Sequence, residues 1–128
     1  MYGYKRLANY KVELCFARSS SVLEAIPGKS FYVADEYNRL LARMDVKSDG
    51  TLTHLTHFAS QGEFGSSVDK NGNIYVGDGH IYVFNNAGER IDFIKVPERP
   101  SSLVVAGRCG ETLFITARSS LYRYTINH

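Results

Sequence analysis

The side chains in this chain that can ligate a metal or move a proton are few. They are four histidines, thirteen acidic residues and two cysteines among 128 residues. His54 and His57 stand three apart in a segment of alternating polar and apolar residues. On an extended strand an odd spacing sends the two rings to opposite faces, so they cannot share a metal unless a bulge intervenes, and a solvated outer strand is expected for them. His80 follows a Gly-Asp-Gly turn and is placed to reach a groove, which makes it a candidate substrate contact. Asp35 and Asp78 both end short apolar runs, where a carboxylate commonly caps the following turn by accepting from nearby backbone amides. Cys15 reads as a small core hydrophobe and Cys109 as a turn residue, neither with a Cys or His at metal-ligand spacing. A Gly-x-Ser-x-Gly elbow, a phosphate loop and a paired-histidine zinc motif are all absent.

The elements that must position these groups are strands. Asn71 to Phe84 contains an Asn-Gly turn, a β-branched and aromatic run, a Gly-Asp-Gly turn and a second such run, which is a strong hairpin pattern. The same turn-then-strand phrase occurs at Pro27 to Asp35 and at Gly110 to Ala117. Their first strand residues, Phe31, Ile74 and Leu113, lie 43 and 39 residues apart. A period of about 40 to 45 residues made of short strands is that of a four-stranded propeller blade. No amphipathic stretch long enough for a helical repeat is present. The sequence therefore predicts an all-β chain of about three four-stranded blades, at roughly 18–58, 63–96 and 99–126, in a single partial or half β-propeller domain spanning 1–128. A spare strand at Tyr10 to Ala17 is left to complete a blade. Tyr32, Val33, Ile74, Val76, Phe84, Leu113, Ile115 and Leu121 are the expected core.

Composition sets the limits on partners. The 15 basic and 13 acidic residues are scattered singly and leave a net charge of +2, so no basic stripe marks a nucleic-acid or anionic membrane surface. No apolar run approaches the roughly 20 residues of a membrane span, and Met1 to Tyr10 has no signal-peptide hydrophobic region. A soluble chain is expected; its compartment is not legible.

Five phrases carry a family resemblance from about Lys11 onward: Phe31 to Asp35, Asp45 to Leu52, Val68 to Val76, Val96 to Pro100 and Thr112 to Tyr122. Together they resemble the C-terminal half of the senescence-marker-protein, gluconolactonase and luciferin-regenerating-enzyme family. That resemblance implies a six-bladed propeller whose central channel holds one divalent cation, calcium or zinc, and which hydrolyses sugar lactones or related esters. The cation would polarise the lactone carbonyl while a carboxylate helps activate water.

In the family the metal is held by a Glu of an early blade and by Asn and Asp at the starts of innermost strands. Carried onto this sequence, the expected Asn falls on Ser20, the expected Asp on Phe64, and an Asn of the following blade on Ser102. The early Glu would belong to an N-terminal half that this chain does not contain. Serine is a poor calcium ligand beside a carboxylate, and phenylalanine is none. Glu63, next to Phe64, supplies an oxygen if the loop before the strand is shifted. The resemblance thus nominates Glu63 and Ser20 as metal ligands and Ser102 as a substrate contact, beside His80, which its place after the turn nominates.

Two function classes follow: a metal-dependent lactonase or esterase, or a non-catalytic propeller module with a degenerate metal site. The odd strand adds an expectation about partners. Either two copies close the ring, each N-terminal strand completing its partner's last blade, or the rest of the propeller comes from a longer polypeptide.

Overall fold

The computed structural model of the chain describes residues 19–26 and 29–126. These form eleven strands in three antiparallel sheets: β1 (Ser19–Ile26), β2 (Ser30–Asp35), β3 (Leu40–Val46) and β4 (Leu52–Ala59); β5 (Gly65–Val68), β6 (Ile74–Asp78), β7 (His80–Phe84) and β8 (Arg90–Ile94); β9 (Ser102–Ala106), β10 (Thr112–Ala117) and β11 (Ser120–Thr125). Within each sheet the strands pair in sequence order, so each sheet is an up-and-down meander, or blade. Blades I and II have four strands and blade III has three. The expected strand at Tyr10 to Ala17 lies outside the described residues. Among the described residues no helix is long and apolar enough to cross a membrane.

The turns follow from Asx chemistry. Asp69 accepts from the backbone N–H of Asn71 (2.8 Å) and of Asn73 (3.0 Å), and Gly72 supplies the positive φ of 82° that closes the loop into β6. Asn85 repeats the device before β8, accepting from the N–H groups of Ala87 and Glu89, both at 3.0 Å. Below Asp69 the hydroxyl of Tyr75 donates to the same carboxylate at 2.9 Å, which ties the turn to the core.

The blades stack face to face, and each strand alternates its side chains between the two faces. Tyr32, Ala34 and Leu41 on the forward face of blade I pack against Ile74, Val76 and Phe84 on the rear face of blade II. Tyr75, Ile81 and Val83 on the forward face of blade II pack against Leu103, Leu113, Ile115 and Ala117 of blade III. Blade II is covered on both sides, and for that reason all five residues of β6 are buried.

The registers make the repeat exact to the residue. Tyr32, Tyr75 and Phe114 are equivalent, as are Leu41, Ile81 and Leu121, since these pair with Ala34, Gly77 and Thr116 respectively. Seven of the eight expected core residues are buried. Leu121 is the exception at 69% exposed: it faces forward from blade III, where no described strand lies against it.

Ile74→Ala removes a side chain from the interface between blades I and II, and a loss of about 2 to 5 kcal/mol is expected in a urea melt. Burial and the bond to Asp69 raise the ionisation of Tyr75 above that of an ordinary phenol. Neutral Tyr75 therefore stabilises the fold fully below its unfolded value near 10, and that contribution is lost as pH rises beyond it. Tyr75→Phe should cost about 1 kcal/mol at neutral pH. It should also lessen the alkaline fall in melting temperature.

Candidate functional site

The first strand of each blade lies at the inner edge of its sheet, and β5 lies against both β1 and β9. These three strands therefore line the inside of the arc. Their starts share one rim with the turns from β2 to β3 and from β6 to β7.

Glu63, just before β5, is the centre of that rim. Its N–H and that of Phe64 both donate to the carbonyl of Gly77, at 2.9 and 3.2 Å. Two residues opposite one is a β-bulge, and it lets consecutive side chains depart from strict alternation. The ring of Phe64 settles over Gly77, where a Cβ would come within 1.9 Å of it, and packs against the core between blades II and III. Glu63 turns instead to the rim. One carboxylate oxygen accepts from the N–H of Gly79 at 2.9 Å, and the other pairs with Arg99 and lies 3.6 Å from Arg39.

Asp78 completes the cluster. It accepts from the N–H of Gly62 at 3.1 Å and pairs with Arg39. The two carboxylates are nearly closed off, with side chains 13% and 7% exposed, whereas the guanidinium-bearing side chains of Arg39 and Arg99 are about half exposed. The cluster draws on all three blades: Arg39 enters from the turn after β2, Glu63 and Asp78 from blade II, and Arg99 from the connection into β9. Glu98 holds that connection in place by accepting from Tyr122 (2.6 Å) and Ser120 (2.9 Å), bonds that keep its carboxyl below the usual carboxylate range. Its contribution is present above that range and fades as pH falls through the lowered value.

The expected site residues do not converge. Glu63 is in the cluster. Ser20 lies in β1, next to the strand's start. Ser102 opens β9 and is exposed, but it lines a shallow cavity of about 100 Å³ on the forward face of blade III with Leu103, Val104, Phe114, Thr116 and Leu121. His80 accepts from the N–H of Val96 at 3.1 Å through Nδ1, which places the proton of the neutral ring on Nε2, and its ring meets Phe93 edge-on. It braces β8 against β7. His54 pairs with Asp45 at 2.9 Å and His57 contacts Ser60 at 3.3 Å, both on the exposed β4. Asp35 caps its turn as expected, accepting from Tyr37 at 3.1 Å. Asp78 does not; it reaches across to Gly62 and Arg39.

Arg39, Asp78 and Arg99 are the site residues that sequence reasoning missed. A signal for them exists in the spacing: Arg39 and Asp78 are 39 residues apart, and Glu63 and Arg99 are 36 apart, each close to one repeat. Opposite charges one period apart meet across a blade interface.

The described residues around Glu63 do not fit a divalent cation. The oxygens of Glu63 are taken by two guanidiniums and an amide, and Phe64 offers no donor. Among the described residues no group of three or more His, Cys, Asp or Glu side chains could hold a metal.

A family model described as the SMP-30/Gluconolactonase/LRE-like region matches residues 27–119. Among solved structures, a gluconolactonase from Xanthomonas campestris is similar over 91% of this chain and 40% of its own, at 22% identity and a TM-score of 0.79. A luciferin-regenerating enzyme matches 80% of this chain and 38% of its own, at 17% identity and a TM-score of 0.67. Regucalcin from Agrobacterium tumefaciens, a calcium-binding protein, matches 80% and 39%, at 23% identity and a TM-score of 0.66. The chain thus spans about two fifths of the length of each. No curated protein matches it significantly in sequence.

Glu63→Gln keeps an acceptor for Gly79 and removes the charge that faces Arg39 and Arg99. With both guanidiniums half exposed, a loss of about 1 to 2 kcal/mol is expected. The gap between parent and variant in a chemical melt should narrow in high salt.

Proposed function

Because this chain belongs to the SMP-30/gluconolactonase/LRE-like family, we propose that it forms part of a gluconolactonase-like propeller whose rim binds a sugar lactone or the hydroxy acid derived from it, without a metal at Glu63. The observation that carries this reading is the engagement of Glu63 by Arg39, Arg99 and the Gly79 amide. A guanidinium is planar, permanently charged and rich in donors, and it suits a carbonyl or carboxylate oxygen. Glu63 and Asp78 hold Arg39 and Arg99 in place, and the exposed parts of both face solvent on the rim.

A second reading is metal-dependent hydrolysis of a sugar lactone or ester, with calcium or zinc. Family membership favours it, and so does the description of one similar structure as a calcium-binding protein. On this reading the acidic ligands come from outside the described residues and Glu63 is released from its arginines when the metal binds.

Titration calorimetry with gluconate and glucono-1,5-lactone, with and without chelator, separates the two. The metal-free reading expects binding that chelator leaves unchanged and that Arg99→Gln weakens at least tenfold. Lactone hydrolysis that requires calcium or zinc and stops on chelation would instead establish the second reading. No heat with either ligand, metal present or absent, would remove both.

A further inference from the structure

At the base, the end of the blades opposite the rim, blades I and II treat the same buried hydroxyl differently. In blade II, Asn73 and Tyr75 both donate to Oδ2 of Asp69, at 3.2 and 2.9 Å. Asp69 follows β5 and pairs with Asn73, its N–H donating to that residue's carbonyl at 3.0 Å.

The registers carry the comparison to the other blades. Ser30 and Tyr32 are the equivalents of Asn73 and Tyr75 in blade I, and Ile26, which pairs with Ser30 over a turn of the same length, stands where Asp69 does. In blade III the corresponding residues are Thr112, Phe114 and Ala106. Blade III lacks the phenol and the carboxylate together. Blade I keeps the phenol and has an isoleucine at the acidic position.

Two buried hydroxyl protons of blade I are thereby left without an acceptor among the described residues. Ser30 is 8% exposed, and its Oγ has no hydrogen-bond partner. Tyr32 is 0% exposed, and its oxygen accepts from Nη1 of Arg43 at 3.4 Å, so its own proton is directed elsewhere. Arg43 adds a charge. Its other contacts, the carbonyl and Oδ1 of Asn86 at 2.8 and 3.2 Å, are to neutral oxygens. Asp45, which shares the forward face of β3 with Arg43, turns instead to His54 at 2.9 Å.

We propose that a small monovalent anion, chloride or a short carboxylate such as formate, binds between Ser30, Tyr32 and Arg43 and takes the part that Asp69 plays in blade II. Two hydroxyl donors and a guanidinium call for an acceptor that carries negative charge, whereas a water molecule would bring two further protons to a place already rich in them. Exclusion from bulk solvent strengthens each of these bonds. The site lies at the opposite end of β2 from the Arg39 turn, so it is separate from the rim.

Thermal melts of the whole chain in sodium chloride and in sodium formate test this, with each variant compared to the parent at the same concentration so that the general effect of salt cancels. The parent should gain about 3 to 6 °C, saturably, with at least one of the two anions. Tyr32→Phe and Arg43→Gln should each lose most of that gain. Ser30→Ala, which removes one donor without adding bulk, takes the place of Tyr32→Phe if the latter does not fold. A folded Ile26→Asp supplies the carboxylate of blade II and should melt independently of both anions. A parent with no saturable response to either anion would overturn the proposal and leave the hydroxyls to water. So would a response that Tyr32→Phe or Arg43→Gln retains in full, which puts the anion at another place.

Discussion

A blade of this chain cannot stand by itself, and that constraint organises the rest. Each sheet is apolar on both faces, so each must lie between two others or leave hydrophobic area in water. The contact that meets this need is an aromatic or aliphatic pair on the forward face, Tyr32 with Leu41 and Tyr75 with Ile81, pressed on the small and branched residues behind the next blade. Gly77 belongs to the same scheme: its missing side chain is the space in which Phe64 seats. The rim is downstream of this packing. Arg39 meets Asp78, and Arg99 meets Glu63, only because adjacent blades are held at a fixed offset.

The strands and their order are legible from the sequence because turn chemistry is local. Asp69 and Asn85, each followed by a glycine with positive φ, dictate their loops irrespective of what packs above them. The core is legible for the same reason, since alternation names two faces and both are apolar. What alternation does not give is whether a face has a neighbour. Leu121 has the residue type and phase of a buried position, and its exposure is a property of the arc's end.

The site is less legible, and the reasons are specific. A regular strand would send Glu63 and Phe64 to opposite faces. The bulge at Gly77 is what lets the ring enter the core while the carboxylate stays at the rim, and bulges leave no reliable mark on a lone sequence. Asp78 looks like Asp35 at the same repeat position, yet the turn after β2 runs through Glu36 to Arg39 and that after β6 through Gly79 only. The short turn offers the carboxylate few amides of its own, and it accepts from Gly62 and Arg39. Family resemblance identifies the scaffold without transferring the metal site, because Phe64 and the arginine-bound Glu63 stand at the place where ligands are expected.

The stacking of blades in chain order also bears on how the molecule opens. Since β5 lies against β1 and β9, the described blades stack in chain order, and the cost of local unfolding follows the interfaces that each blade shares. Blade II, with both faces covered and every residue of β6 buried, must release two interfaces to unfold. Blade III releases one, and its last described strand, β11, pairs only with β10. Between blades II and III, opening is thus expected to begin in blade III, and Arg99 lies on the connection that leads into it.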